Sequence, residues 1–200
     1  HDKMDATSFG DSDRVCKKTS VKKIGVPRSF LKGEGIQKEV MDNFEKSLDR
    51  LKSLGYEVVD VEVPFMEYSL AVYYILMPAE VSTNLSRYDG VRYGLSVKGE
   101  NTADSYKKTK TLGFGDETKR RLLLGTYVLS HGYYDAYYNK ALKMRAKITQ
   151  EMEKVFDEVD LLVTPTTPTP AFKFGEKKDP VSMYMSDIFT VPANISGVPA

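Results

Sequence analysis

Cysteine is almost absent: Cys16 is the only one in 200 residues. No disulfide can form within the chain, and a lone thiol fits a reducing compartment, so the expected location is the cytoplasm or an organelle. Beside Lys17 and Lys18, in a polar stretch that reads as a loop, Cys16 is a weak nucleophile candidate. Histidine is nearly as scarce, with His1 and His131 alone. No CxxC, HExxH or EF-hand spacing occurs, which argues against a protein metal site. There is no GxxxxGK[ST] or GxGxxG to cradle a phosphate, and no GxSxG nucleophile elbow. No apolar run approaches the length of a membrane span. Excess charge is missing too: 29 basic residues face 28 acidic ones, a net +1, which gives no electrostatic case for gripping a phosphate backbone unaided.

What is present reads as a globular α/β chain, 41% apolar and 28% charged, long enough for a real core. A polar arm over 2–20 leads to a short strand, Lys23 to Pro27. Ile36, Val40, Phe44, Leu48, Leu51 and Leu54 then recur at spacings of four and three, which stacks them on one helical face. Gly55 reads as the left-handed residue that ends this helix. The alternating, β-branched segment 56–63 is a strand, so 23–63 forms a βαβ unit with an expected right-handed crossover. Residues 66–85 are apolar on nearly every side and predict a buried helix. Further helices are expected over 104–111, 116–130 and 134–159. The last should carry Leu142, Ile148, Met152, Val155 and Phe156 on its inner face.

The final third carries the most information. Leu161-Leu162-Val163 enters a proline ladder at Pro165, Pro168 and Pro170, and proline's fixed φ makes this a rigid extended edge. Beyond it one acid, Asp187, sits among Met, Tyr, Ile and Phe, where its charge needs water or a partner. Two roles suit it: holding a ligand ammonium, or capping the helix that follows. Lys119-Arg120-Arg121 opens an apolar helix. Such a triplet ordinarily lies on a solvated face, but three successive helical positions cannot share one side, so the competing reading is that one cation turns inward to meet a carboxylate. Ser130 and His131, as neighbours on a helix, point a quarter turn apart and do not make a nucleophile–base pair. Tyr133, Tyr134, Tyr137 and Tyr138 have the i, i+4 spacing of simple aromatic packing.

Several strings match one family: HDKMDATS (1–8), SRYDGVRYG (86–94), GFGDETKRRLLLGTYVLSHGYYDAYY (113–138), TPTTPTPAF (164–172) and MYMSDIFTVPANISGVPA (183–200). Across nearly its whole length the chain resembles amidase-signature proteins, and among them the glutamyl-tRNA(Gln) amidotransferase A subunits. Lys3 stands where that family usually has proline. The resemblance implies an α/β/α fold with a mixed central sheet covered by helices, of which 1–200 is a partial domain. It also implies glutamine hydrolysis by a Ser–Ser–Lys triad, with ammonia passed to a partner that amidates Glu-tRNA(Gln). B and C subunits would complete a heterotrimer, with no cofactor in this chain and with ATP and Mg on the partner subunit. The triad's glycine/serine-rich stretch does not occur here and is expected upstream of His1. Both ends read as cut, no residue is assigned a catalytic role, and the chain alone is expected to be inactive. By resemblance, Arg121 matches the arginine that holds the glutamine α-carboxylate, with Arg120 as the one-residue alternative. Asp187 matches the acid on the α-ammonium, and Tyr73 a tyrosine lining the pocket. Another amidase-signature hydrolase, or a non-catalytic docking module with a Tyr-rich surface, are the competing readings.

Overall fold

In the computed structural model, which describes residues 2–4, 8, 20–33, 35–177 and 179–200, three short strands form one parallel sheet. β1 (Lys23–Val26) is central, flanked by β2 (Glu57–Asp60) and β3 (Leu161–Leu162). Its register pairs Ile24 with both Val58 and Leu161. Cys16, Lys17, Lys18 and half of the 1–8 string lie outside the described residues. The Asp160 carboxylate accepts from the amides of Lys22 and Lys23 at 2.8 and 2.9 Å, which pins the start of β3 to the start of β1.

The βαβ unit forms, with Phe44, Leu48 and Leu51 of the stripe packed in the core, whereas Leu54, at the cap position beyond the last turn, is 65% exposed. α1 (Lys38–Ser53) joins β1 to a parallel β2. Gly55, at φ +91°, completes a Schellman motif: its N–H reaches Lys52 O and that of Tyr56 reaches Leu51 O, so two orphan carbonyls are satisfied. β2 is shorter than 56–63 because its partner stops. Pro27 has no N–H to extend the ladder, and Val61 makes the last bond, to Val26 O at 2.9 Å.

Alternation along β2 divides the two faces. Val58 joins Val26, Leu48 and Phe189 under α1, while Val59 faces a larger core built from α2 (Ser69–Leu85), α5 (Asn139–Glu158) and α7 (Val191–Ser196). Helices thus cover both faces of the sheet, an α/β arrangement. The three described strands are all parallel, so the antiparallel member of a mixed sheet is not among them.

Two expectations need correction. On α5 the inner face is Ala141, Ile148, Met152 and Val155, whereas Leu142 and Phe156 are 38% and 37% exposed. The helix proper begins only at Asn139, after a π-type turn over Tyr134–Tyr138, and within it Leu142 and Phe156 stand about a quarter turn from Ala141 and Val155, at the margin of the buried stripe. α2 is not buried on every side either: Val72, Leu76 and Ala79 are buried, Tyr73, Tyr74 and Met77 are half-buried, and Ala71 and Glu80 are exposed. Its apolar surface is divided between the core, α4 (Asp116–Val128) and the site described below. The α2–α4 contact is intimate. A Cβ on Gly125 would stand 1.9 Å from the Pro78 carbonyl oxygen, and Ser82 Oγ lies 2.8 Å from Thr126 Oγ1. α3 (Thr102–Gly113) precedes α4, with Asn101 capping it by accepting from Asp104 N–H at 2.9 Å.

Candidate functional site

Three segments distant in sequence converge on one cluster. α2 supplies Tyr73, Tyr74 and Met77, and α4 supplies Glu117 and Arg121. α6 (Pro180–Tyr184) and the turn that follows it supply Tyr184 and Asp187. Of the basic triplet, Arg121 turns furthest inward. Its side chain is 32% exposed against 51% for Arg120, and Lys119 pairs with Asp116 at 3.8 Å.

Arg121 Nε donates to Glu117 Oε1 at 2.9 Å, a carboxylate one helical turn earlier. The Tyr184 hydroxyl donates to the same Oε1 at 2.8 Å, and Arg120 bonds Oε2. Partial burial opposes ionisation of Glu117, but Tyr184, Arg121 and Arg120 outweigh it and hold the carboxyl below the usual range. Burial likewise works against charge on Arg121. Glu117 more than offsets it and the guanidinium rises above its ordinary value. Among the described residues, the contact of Arg121 Nη1 is Met77 Sδ at 4.0 Å, a weak acceptor, so the Nη edge of the fork still has strong donors to give.

At the other end, the Tyr74 hydroxyl donates to Asp187 Oδ2 at 3.3 Å. The Tyr74 ring stacks on Tyr184 with centroids 4.1 Å apart and meets Tyr73 edge-on at 5.1 Å. Burial, and then the Asp187 charge, push the Tyr74 phenol well above its ordinary value, while Arg121 pulls the other way. One phenol therefore senses both the cation and the anion. Burial followed by Glu117 raises the Tyr184 phenol as well.

The capping role for Asp187 is not taken up. Thr190 occupies the cap position of α7 with no side-chain bond, and the Asp187 side chain bonds Tyr74 instead. The structure thus gathers Arg121, Asp187 and Tyr73. The hydroxyl that meets Asp187 nevertheless belongs to Tyr74, while Tyr73 packs its ring toward the main core. Arg120 stands further out, on Glu117. Sequence reading missed Tyr74, Glu117, Tyr184 and Met77. Glu117 was detectable as a carboxylate four residues before Arg121, and Tyr184 as the residue one turn before Asp187. Ser130 Oγ donates to Tyr127 O at 2.6 Å, in keeping with its separation from His131. Tyr134 stacks on Tyr138 at 5.0 Å and Tyr133 on Tyr137 at 6.1 Å, the expected aromatic packing.

Open hollows lie elsewhere. One of about 650 Å³ opens among Glu62, Phe65, Lys147, Glu151 and Lys154, and another of about 540 Å³ between α1 and the proline ladder. Size alone does not make these better candidates. The first mixes exposed charges that neutralise one another, and the second lacks a cation. In the cluster a half-buried cation and an acid flank an aromatic wall, a chemically specific arrangement.

The chain belongs to the amidase family, whose model matches residues 1–200. It is 48% identical over 206 residues to the A subunit of glutamyl-tRNA(Gln) amidotransferase from Pelagibacter ubique, covering 100% of this chain and 42% of that protein. It is 52% identical over 181 residues to the protein of the same name from Clostridium botulinum, covering 90% and 37%. Among solved structures, the A subunit of glutamyl-tRNA(Gln) amidotransferase from Thermotoga maritima superposes with a TM-score of 0.63 at 39% identity, over 88% of this chain and 33% of that one. A crystal structure of an amidase superposes with 0.69 at 25% identity, over 90% and 37%. The chain spans about two fifths of the length of the curated relatives it matches. Among the described residues no helix is long and apolar enough to cross a membrane.

Proposed function

We propose that this chain is the glutamine-recognition portion of a glutaminase subunit that supplies ammonia for converting Glu-tRNA(Gln) to Gln-tRNA(Gln). The observation that carries the reading is the convergence of Arg121 and Asp187 on Tyr74 from segments 66 residues apart, in a chain close to half identical to such subunits. Free glutamine presents an α-carboxylate and an α-ammonium on one carbon, with an apolar stem leading to the amide. The Nη edge of Arg121 suits the carboxylate as a bidentate partner, and Asp187 suits the ammonium. The Tyr74 ring, an apolar body with a polar tip, suits the stem, and Tyr73 lines the pocket by backing that ring edge-on.

In this reading the chain holds the substrate, and the nucleophile and its lysine belong to another part of the polypeptide. The 200 residues alone are therefore inactive, because an activated nucleophile needs its base within hydrogen-bond reach. B and C subunits complete the enzyme, ATP and Mg act on the partner that amidates the tRNA, and the assembly works in the cytoplasm or an organelle. Similarity to another amidase keeps a second reading in play, a hydrolase for a different small amide. Such a substrate would have no need of both charges.

Trimmed substrates test this. In the complete enzyme, 4-carbamoylbutanoate, which is glutamine without its α-ammonium, should lose roughly ten- to hundredfold in kcat/KM relative to glutamine, the cost of one charge-assisted hydrogen bond. Equal use of both amides would reject the proposal.

A further inference from the structure

We propose that Glu117, locked by Tyr184, is a positioning residue for amide-donor recognition: it holds Arg121 by Nε so that the Nη edge of the fork is the one offered to the ligand carboxylate. The inference rests on the glutamine reading above and adds the device that sets the site's geometry.

Glu117 and Arg121 could be read as an ordinary i, i+4 pair on a helix surface, which contributes little. Three observations separate this pair from that case. First, Glu117 Oε1 receives two donors, Arg121 Nε at 2.9 Å and Tyr184 OH at 2.8 Å, the second from 67 residues away. A carboxylate bridging α4 to another segment is fixed in position, and fixes what it binds. Second, an arginine has two hydrogen-bonding edges, one through Nε and one through the paired Nη atoms. Glu117 uses Nε, and the Nη side meets only the soft sulfur of Met77 at 4.0 Å among the described residues. Third, Tyr184 continues the chain of contacts. Its ring stacks on Tyr74 at 4.1 Å, and Tyr74 donates to Asp187 at 3.3 Å.

Arg121, Glu117, Tyr184, Tyr74 and Asp187 are therefore linked in one series running from the site's cation to its anion. Tyr184 and Asp187, three residues apart, face the same way and return the series to its far end. The separation of cation and anion is set by this series.

The test is steady-state kinetics of the complete enzyme with glutamine, comparing Glu117→Gln, Glu117→Asp, Tyr184→Phe, the Glu117→Gln/Tyr184→Phe double variant, and Arg121→Lys. Asp116→Ala, on the exposed side of the same turn, serves as the unaffected control. Glu117→Gln keeps an acceptor but loses the charge that orients the guanidinium. It should raise the glutamine KM about tenfold with kcat within about twofold, the pattern of lost uniform binding. Glu117→Asp should restore part of that loss. Tyr184→Phe keeps the ring stack and removes only the hydroxyl, so it should raise KM about threefold, and the double variant should be no worse than Glu117→Gln. If Glu117→Gln fails to fold, Tyr184→Phe carries the test. Unchanged KM in Glu117→Gln and Tyr184→Phe, with Arg121→Lys impaired, would overturn the positioning role and leave the glutamine reading standing. Unchanged KM in Arg121→Lys would overturn the glutamine reading, and this inference with it.

Discussion

Tyr74 and Asp187, 113 residues apart, meet through a 3.3 Å hydrogen bond from phenol to carboxylate, and in doing so bind the last third of the chain to α2. Removing the hydroxyl in Tyr74→Phe frees one lone pair of Asp187 while leaving the stack on Tyr184 in place. The expected result is a small change in thermal stability, within about 1 kcal/mol for one partly exposed hydrogen bond. The effect on glutamine use should be larger than that on stability. Calorimetry and kinetics on the same variant check the ordering.

Gly125 gives a prediction of opposite sign to helix propensity. In an exposed helix interior, glycine to alanine is favourable by about 1 kcal/mol. Here the new Cβ would stand 1.9 Å from the Pro78 carbonyl oxygen and 2.8 Å from Ser82 Cβ. Gly125→Ala should therefore destabilise the protein by about 1–3 kcal/mol as α2 and α4 are forced apart. A thermal melt should show the midpoint falling by roughly 2–10 °C.

Acid should weaken the same region. Glu117 is held below its ordinary value of 4.5, with partial burial opposed by Tyr184 and Arg121. Glu45 is held below 4.5 by Arg28, and Asp160 below 3.8 by the amides of Lys23 and Lys22. A group with a depressed folded-state pKa contributes stability that is present above its unfolded value and lost as pH falls through the folded one. Stability should accordingly decline below about pH 4.5 as these carboxylates are protonated. Glu117→Gln should show a shallower decline than the parent in a pH series of denaturant melts. An identical slope would mean that Glu117 has no linkage to folding.

Local order was legible wherever one period dominated. The α1 stripe from Ile36 to Leu54, the glycine stop at Gly55 and the alternation before Pro64 predict the βαβ unit, and each rests on interactions within a few residues. The α5 face is misread at its margins: Leu142 and Phe156 lie about a quarter turn from Ala141 and Val155, and their apolar side chains give them a place that helical spacing does not. At the site, helix geometry leaves two readings of Lys119-Arg120-Arg121, a solvated face or one inward cation, and packing against α2 and Tyr184 decides for Arg121. Glu117 was visible in principle, one turn away. The bonds from Tyr184 to Glu117 and from Tyr74 to Asp187 depend on tertiary contacts between α2, α4 and 184–187, which no local pattern encodes. The choice of Tyr74 over Tyr73 is of this kind: the two are neighbours, and only packing decides which ring faces the core.

The most direct measurement is the activity of Asp187→Asn in the complete, partner-bound enzyme, with glutamine and with free ammonia as alternative nitrogen donors. Ammonia has no α-ammonium to be held and bypasses the cluster. The expected result is a loss of about ten- to hundredfold in glutamine kcat/KM, with ammonia-dependent amidation close to the parent rate. Near-normal use of glutamine by the Asn variant would contradict the assignment of Asp187, and with it the reading of this cluster as the glutamine site.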